Sequence, residues 1–366
     1  MKIQSCLLFL SCVFFCSTTF GQINQEIQTT DAEEQYPYVL PIWGQKVQER
    51  GMADQLQLPF GVNINYVNAF VELDVTEFEM MINGHDLSGI INTETLNFKE
   101  VSATTNGVNV RADAWVLPFM NIYALFSSVK GGTNVSLQPA WTNEVGEVVL
   151  QLPEFSSNVD FDAIAYGLGT TLIFGWDNYF SSVDMNYSAT NTEILKDNIG
   201  YLTLSGRLGH RFGLSKTKKD FFVAPYLGVM YRDFVGARGS NGSIRMDEVF
   251  PDLETTFNEK ANEKIAENQA VIDNPSTSIA ERVKLEAQNQ AIETIQTRIN
   301  DSGAFSAEID YFIRKDLIQT VTFQFGFNLQ INKSWMLRGE YGVADSQRFL
   351  MTGLQYRFGV KKKTIK

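Results

Sequence analysis

Apolar and polar residues alternate along most of the chain after residue 58, and the pattern is clearest over residues 319–331. The odd positions of this segment carry bulky apolar side chains: Val321, Phe323, Phe325, Phe327, Leu329 and Ile331. The even positions carry small or polar residues: Thr322, Gln324, Gly326, Asn328 and Gln330. Successive side chains of a β-strand point to opposite faces, so the segment predicts a strand with one apolar and one polar face.

The same alternation recurs in "GVNVRADAWVLPF" (107–119), "YLTLSGRLGHRFG" (201–213) and "FFVAPYLGVMY" (221–231). The polar faces of these segments hold many small residues and few charges, whereas the outer faces of a soluble β-sandwich are densely charged. The pattern therefore favours an all-β transmembrane antiparallel β-barrel, with lipid outside and a polar lumen inside. A closed barrel also pairs every strand edge, as hydrocarbon requires. A soluble sandwich is the alternative fold class.

The alternation predicts about 12 strands, with 10 as the alternative because residues 62–82 form either one bent strand or two. The last three strands are predicted at about 319–331, 335–343 and 348–358. Nine charged residues on the polar faces are candidates for the lumen wall: Arg111, Asp113, Asp184, Arg207, Arg211, Arg232, Arg338, Glu340 and Arg357. Inward charges in a small barrel usually pair and plug it. An arginine-rich wall along an open path would instead favour anionic solutes.

The lengths of the connections predict the orientation. Short polar connections at 176–178, 215–220 and 332–334 fall at one end, and longer ones at 132–160 and 188–198 fall at the other. Outer-membrane barrels have short periplasmic turns and long extracellular loops. We therefore expect residues 22–58 to form an N-terminal periplasmic segment. The barrel strands follow at 59–233 and 319–358, and residues 359–366 form a C-terminal tail.

The first 21 residues resemble a secretory signal peptide. Lys2 precedes an apolar run that reaches Phe15, and small residues lead to Gly21, after which we predict cleavage. All three cysteines, Cys6, Cys12 and Cys16, lie in this segment. Cleavage would leave a cysteine-free chain without disulfide or thiol chemistry. A lipoprotein acylated at Cys12 or Cys16 is the alternative interpretation.

The strand pattern stops between residues 234 and 318. This region is rich in Ala, Glu, Lys and Gln, and Ser278 and Glu281 form a capping-box pair. Apolar residues recur at helical spacing at positions 257, 261 and 265 and again from 279 to 299. We predict a helical hairpin, at about 255–272 and 279–300, on the extracellular side. It would be a solvated loop packed at the barrel mouth, an arm that binds a partner, or a gate.

Charge and histidine content limit the chemistry. The 366 residues carry a net charge of −12, which argues against a nucleic-acid partner, and a cysteine-free chain with two histidines is a poor zinc protein. By parity His210 faces lipid, and His85-Asp86 is expected in a periplasmic turn, so neither predicts a catalytic base. We expect no cofactor and no enzymatic activity.

Three stretches carry a family resemblance: "NVRADAWVLPFMNIYALFSSVKG", "NYFSSVDMNYS" and "WMLRGEYGVADSQRFLMTGLQYRF". Together with the strand that ends at Phe358, they resemble a family of outer-membrane β-barrels of proteobacteria and Bacteroidetes to which no activity is assigned. The resemblance covers roughly residues 59–233 and 320–358. It implies an outer-membrane location, contact with outer-membrane lipid and insertion by the barrel assembly machinery.

The resulting functional hypothesis is a small outer-membrane channel or transporter, porin-like, that the helical hairpin gates or covers. A polar lumen and an external lid need no further chemistry for that task. The alternative is a non-transporting scaffold or adhesion protein that presents residues 255–300 to a protein partner. An outer-membrane hydrolase is the third hypothesis.

Overall fold

The computed structural model describes residues 35–82, 85–143, 145–192, 198–236 and 239–362. The predicted signal peptide, its cleavage site and the three cysteines lie outside these ranges. The strands are β1 (Phe60–Ile82), β2 (His85–Asp86), β3 (Phe98–Leu117), β4 (Met120–Leu137), β5 (Ala140–Thr142), β6 (Val148–Gln151), β7 (Phe155–Trp176), β8 (Tyr179–Thr192), β9 (Ile199–His210), β10 (Phe212–Gly213), β11 (Phe222–Val235), β12 (Gly239–Arg245), β13 (Glu308–Leu317), β14 (Val321–Gln330), β15 (Trp335–Ala344) and β16 (Gln347–Phe358).

The helices are α1 (Gly44–Glu49), α2 (Thr93–Leu96), α3 (Met246–Val249), α4 (Leu253–Ile272) and α5 (Ile279–Ser302), with a 3₁₀ turn at Ala53–Gln55. Among the described residues, none of these helices is long and apolar enough to span a membrane.

Ten strands of the described chain close an antiparallel barrel in the order β1, β16, β15, β14, β11, β9, β8, β7, β4 and β3, which pairs again with β1. The predicted count of 12 is therefore wrong, and the alternative of 10 is correct. Residues 60–82 form one strand, whose register shifts at a bulge between Val75 and Glu77. From Phe60 to Val71, one edge of β1 pairs with β16. From Leu73 onward the same edge pairs with β13.

The two ends of the barrel differ. The turn end carries the connections 118–119, 177–178, 211–221 and 331–334, together with the start of β1 and the end of β16. The cap end carries the longer connections, together with the two-residue turn 345–346 between β15 and β16. His85 and Asp86 pair with the final residues of β1 and so lie at the cap end, not in a turn at the opposite end as the sequence predicted. The error follows from the uncertain strand count over residues 62–82, because each added strand reverses the direction of the chain.

The outer face of the barrel carries an apolar band. Leu168, Leu208 and Leu227 are each 70% exposed and point away from the lumen. On the four long strands, β1, β3, β4 and β7, this band gives way toward the cap end to exposed polar residues such as Asn106, Lys130, Asp160 and Asp162. Such a band is the surface that transmembrane barrels present to lipid, so these four strands extend beyond the bilayer into water.

Beyond the band lies the cap, which consists of the upper parts of the long strands, β2, β5, β6, β12, β13 and helices α2 to α5. It has a hydrophobic core in which helix residues such as Phe257, Ala261 and Ile292 pack against strand residues such as Met80 and Ile309. Strands β12 and β13 were not predicted, because their residues alternate weakly. They form an antiparallel pair, so two missed strands leave the direction of every later strand unchanged.

Helices α4 and α5 contact each other through buried apolar residues such as Ala261 and Ile292 and through side-chain amides along their length. Ser278 caps α5 by accepting a hydrogen bond from the amide of Glu281 at 3.2 Å. Asn268 donates to Asn289 at 2.8 Å in a buried position between the helices. The predicted apolar stripe is only partly buried, because Ile279 and Val283 at the start of α5 point into solvent.

At the turn end, the N-terminal segment pairs with the C-terminal tail. The Val39 amide donates to the Val360 carbonyl at 3.0 Å, and the Lys362 amide donates to the Pro37 carbonyl at 2.9 Å. The Arg357 Nε donates to the Leu58 carbonyl at 2.8 Å. These bonds tie the chain that precedes the first barrel strand to the chain that follows the last one.

The register of β14 generates a labelling prediction. Single cysteines at Phe323 and Phe325 should react with a maleimide confined to the lipid phase, because both side chains face outward. Cysteines at Thr322 and Gln324 should stay unlabelled, since these positions are fully buried inside the barrel. Mass spectrometry of the purified, folded protein in vesicles would measure the labelled fraction. Equal labelling at odd and even positions would contradict this register.

Candidate functional site

The lumen of the barrel is the first candidate site. The register of the ten strands puts eight of the nine sequence candidates on the same inward parity: Arg111, Asp113, Asp184, Arg207, Arg232, Arg338, Glu340 and Arg357. Arg211 follows the end of β9 at the turn end, where its guanidinium lies 4.1 Å from the centre of the Phe222 ring.

The first group of contacts surrounds Asp113, near the turn end. Arg357 Nη1 lies 3.0 Å from the carboxylate of Asp113. Asn63 donates a hydrogen bond to the same carboxylate at 3.0 Å, and Asn121 donates a second at 2.6 Å. The guanidinium of Arg357 also lies 5.6 Å from the centre of the Trp115 ring. An ion pair with this many additional donors is the arrangement in which a buried carboxylate is tolerated.

A second group surrounds Asp184. Arg111 Nη1 lies 3.6 Å from its carboxylate, and Tyr123 and Thr171 donate to it at 2.8 and 2.5 Å. Arg111 also donates to Asn121 at 3.0 Å, and its guanidinium lies 3.5 Å from the centre of the Tyr123 ring. Asn121 therefore links the contacts of Asp113 to those of Asp184.

The third group spans the lumen from β9 to β15. Arg207 makes a bidentate contact with Glu340, with Nε at 3.0 Å and Nη2 at 3.1 Å from its oxygens. Tyr226 and Gln324 donate to the same carboxylate at 2.6 and 2.8 Å. Ser205 in turn donates to the side-chain oxygen of Gln324 at 2.8 Å. A planar guanidinium on a carboxylate with two more donors is a strong, directional contact.

These three groups fill the middle of the lumen. Thr322, Ser205, Gln324, Asn121 and Glu340 are each at most 3% exposed. We refer to the three carboxylates, their arginines and the polar residues that hydrogen-bond to them as the polar seal. Within the described residues, the seal leaves little solvent-accessible surface at mid-height.

Above the seal, toward the cap end, the inward residues are smaller and less buried. Val67, Ala69, Val129 and Ala165 face inward and are partly buried. The inner face of the barrel therefore changes from a layer of charged and polar side chains to one with more small and apolar side chains, below the cap.

Sequence reasoning missed several residues of the seal. Tyr123, Tyr226 and Gln324 lie on inward parities, and parity alone could have selected them. Their role depends on which strand faces them across the lumen: Gln324 and Glu340 lie on neighbouring strands, but Arg207 is 133 positions from Glu340. Lys315, on β13, was also missed because its strand was not predicted. It pairs in register with Val75 and points inward.

His210 lies on the outward face of β9. Its ring packs 4.6 Å from the Tyr179 ring and 4.4 Å from the Phe212 ring, measured between centroids. An apolar groove of about 830 Å³ on this outer face includes His210, Trp176, Tyr179 and Phe327 among its lining residues. No carboxylate or hydroxyl nucleophile of the kind needed for hydrolysis is among the hydrogen-bond partners of His210 in the described chain.

The cap is the second candidate site, as an exposed surface. Lys284 at the start of α5 donates to Glu147 in the β5–β6 hairpin at 2.8 Å, which ties helix and hairpin together. This hydrogen bond and the charge of Lys284 lower the pKa of Glu147. Near this contact, Val145, Ile279 and Val283 expose apolar side chains.

No protein-family model matches the chain, and no curated protein matches it. The family resemblance of the three quoted stretches therefore rests on those stretches alone. Three solved structures are similar to this chain. The β domain of the Bordetella autotransporter BrkA is 11% identical, with 81% of this chain and 99% of that chain covered and a TM-score of 0.33. The outer-membrane protein OprG of Pseudomonas aeruginosa is 8% identical (83% of this chain and 99% of that chain covered, TM-score 0.32), and the toluene transporter TbuX of Ralstonia pickettii is 9% identical (83% of this chain and 90% of that chain covered, TM-score 0.31). These neighbours are outer-membrane β-barrels of Gram-negative bacteria.

The third group generates a stability prediction. Replacing Glu340 with Gln should destabilise the barrel by about 3–5 kcal/mol, because Arg207 then loses the carboxylate that pairs with it in a buried site. The double variant Arg207→Gln/Glu340→Gln should be less destabilised than the sum of the single variants, since the two side chains interact. Urea unfolding in lipid vesicles, followed by tryptophan fluorescence, would measure the free energy of unfolding.

The matched control is Glu263→Gln on α4, which removes the exposed pair between Lys260 and Glu263. Exposed pairs contribute little, so this variant should unfold like the wild type. If Glu340→Gln unfolds like this control, the polar seal does not stabilise the barrel.

Proposed function

We propose that the protein is an outer-membrane β-barrel that anchors a folded extracellular cap, and that the cap, rather than an open pore, performs its function by binding a partner. The observation that carries this proposal is the polar seal. Its three carboxylates are each paired with an arginine, and the residues around them are almost completely buried.

The energetics of the seal support an anchor. A continuous water path through the lumen would require side chains from all three groups to separate. Breaking a buried pair costs about 3–5 kcal/mol when a partner charge is left uncompensated. Three linked groups therefore hold the lumen closed far more firmly than a single contact would.

The cap supports an interaction role because it is more than a connecting loop. Four barrel strands extend past the apolar band, and β12 and β13 add two strands to the sheet that they form. Helices α4 and α5 pack against this extended sheet around a shared hydrophobic core. Ordering this much chain beyond the membrane costs conformational entropy that an anchor alone does not require. We place the partner-binding surface on the outer parts of α4 and α5, where Ile279 and Val283 are exposed.

A small channel or transporter is the second candidate. The observation in its favour is the excess of inward cations: five arginines against three carboxylates among the eight inward candidates. A lumen wall with excess arginine suits an anionic solute, provided that the seal opens. In that case α4 and α5 would act as the gate. Neither candidate assigns a catalytic role to any residue.

Conductance across planar bilayers separates the two candidates. For an anchor, we expect no ionic current from the wild type or from a variant that lacks residues 255–300, because the seal lies below the helices. The variant Asp113→Asn/Asp184→Asn/Glu340→Gln should conduct, since it breaks all three groups, and its current shows that the protein has inserted. If the wild type conducts, and the current increases when residues 255–300 are deleted, the result would favour the gated channel.

Protease accessibility tests the placement of the cap. A protease added to intact cells should cut the turn at 274–277 between α4 and α5, whose residues are exposed. As the control, a cleavage site inserted at 177–178, in a turn at the opposite end, should be cut only after lysis. Immunoblotting of the fragments would report both. Protection of 274–277 in intact cells would reverse the proposed orientation.

A further inference from the structure

The apolar groove beside His210 lies on the outer face of the barrel near the turn end. It has a volume of about 830 Å³ and crosses β7, β8, β9, β11 and β14. Two of its outward residues, Ser181 and Pro225, are small. In the register of the strands, Ser181 stands between Phe174 and Leu208, and Pro225 stands opposite Phe327. These larger neighbours project farther from the sheet, so Ser181 and Pro225 form the floor of what we call the outer groove.

One end of the outer groove lies at the level of the membrane interface. Trp176 and Tyr179 pair across the β7–β8 turn, line the groove and are 75% and 63% exposed. Trp335 and Tyr356 pair at the same end of the barrel, on β15 and β16. Exposed Trp and Tyr side chains at strand ends mark the headgroup level of a bilayer. The groove therefore begins among lipid headgroups and continues into the hydrocarbon.

The connections beside this end of the groove are rich in lysine. The β10–β11 hairpin and the β14–β15 turn carry four exposed lysines: Lys216, Lys218, Lys219 and Lys333. Two carboxylates accompany them, Asp220 in the hairpin and Asp177 in the β7–β8 turn. Four cations against two anions leave a local charge of +2, whereas the whole chain carries −12.

Most of these lysines have no carboxylate partner. Lys219 lies 3.9 Å from Asp54, and both side chains are exposed. Among the described residues, no ion pair includes Lys216, Lys218 or Lys333. The lysines are therefore available to an anion at the level of the headgroups.

One lipid molecule can reach both the lysines and the groove. The Leu214 amide donates to the Phe221 carbonyl at 2.9 Å, and the Phe221 amide donates to the Lys218 carbonyl at 3.1 Å, so the hairpin directly continues the strands of the groove. Pro225, on the groove floor, follows Phe221 by four residues, about 13 Å along a strand. One leaflet of a bilayer, headgroups included, is about 20 Å thick. A lipid with its headgroup at Lys218 therefore has chains long enough to cover Pro225.

We propose that the outer groove and the lysines beside it form a binding site for an anionic glycerophospholipid. An acyl chain lies over Ser181 and Pro225, and the phosphate lies among the lysines. The groove by itself accepts any acyl chain, so the lysines select the headgroup, as basic pockets at membrane surfaces do. Lysine side chains are long and flexible, which lets several of them approach one phosphate. A second copy of the chain is a poorer occupant, because a two-fold contact through this face would bring two sets of lysines together.

The test uses the fluorescence of Trp176, which lines the groove, in the full-length protein in phosphatidylcholine vesicles. A small, fixed fraction of the lipid is phosphatidylglycerol or phosphatidylcholine with brominated acyl chains, which quench a tryptophan that they contact. We expect brominated phosphatidylglycerol to quench several-fold more than brominated phosphatidylcholine. The difference should disappear in Trp176→Phe. Equal quenching by the two lipids, or a difference that survives in Trp176→Phe, would overturn the proposal.

A charge variant assigns the choice of headgroup to the lysines. Replacing the four lysines beside the groove with Gln should reduce quenching by phosphatidylglycerol to the level of phosphatidylcholine. The matched control replaces four exposed lysines toward the cap end with Gln, namely Lys130, Lys260, Lys264 and Lys284. This control changes the net charge equally and should keep the preference. If both variants keep the preference, the lysines beside the groove do not bind the headgroup and the proposal is wrong.

A second variant separates a built site from a general attraction of anionic lipid to lysines. Ser181→Phe fills the floor of the outer groove without changing any charge, and it should remove most of the preference for phosphatidylglycerol. The matched control is Ala124→Phe, an exposed position on the outward face of β4, which should respond like the wild type. A preference that survives in Ser181→Phe would mean that the groove takes no part. If Ser181→Phe instead converts a dimer into a monomer in detergent, the groove is an interface between two copies, which would also overturn the proposal.

A measurement on the wild type alone remains valid if a substitution impairs folding. Sodium chloride screens exposed charges, so raising its concentration should reduce the preference for phosphatidylglycerol several-fold. Quenching by brominated phosphatidylcholine should not change with salt, because that lipid carries no net charge. A preference for phosphatidylglycerol that is independent of salt would contradict a headgroup site made of exposed lysines.

Discussion

The whole structure depends on the requirement that each backbone amide and carbonyl within the apolar band find a partner on a neighbouring strand. Hydrocarbon offers no hydrogen bonds, so the sheet must close, and the pairing of β1 with both β3 and β16 closes it. Closure also fixes the direction in which each side chain points. Everything on one parity of a strand meets lipid, and everything on the other parity is confined within a narrow cylinder.

The seal is a consequence of that confinement. In a ten-stranded barrel, inward side chains from strands that are not neighbours reach each other, so Arg207 on β9 can contact Glu340 on β15 in a bidentate manner, past β11 and β14. Charges placed there must be paired and further hydrogen-bonded, and Tyr123, Tyr226 and Gln324 supply these additional bonds.

The cap extends the barrel rather than standing apart from it. On β4 the inward parity runs from Asn121 and Tyr123 in the seal, through Val129, to Leu137 in the core of the cap. One face of one strand therefore contributes first to the polar seal and then to the hydrophobic core of the cap. Because α4 and α5 pack into that core, a force or a ligand that moves the helices acts on the long strands directly.

Alternation along the sequence by itself determined the strands of the barrel, the parity of their inward charges and the helical character of residues 255–300, since these depend on local periodicity. The strand count depended on whether residues 62–82 form one strand or two. They form one strand, in which β1 changes its pairing partner from β16 to β13 and accommodates a bulge between Val75 and Glu77. Strand β13 is stabilised by pairing with β1, and β12 by pairing with β13. The weak alternation of their residues does not by itself predict strands. The partners across the lumen, such as Arg207 and Glu340, could be decided only by the closed barrel, because residues far apart in the chain meet only after the ring has formed.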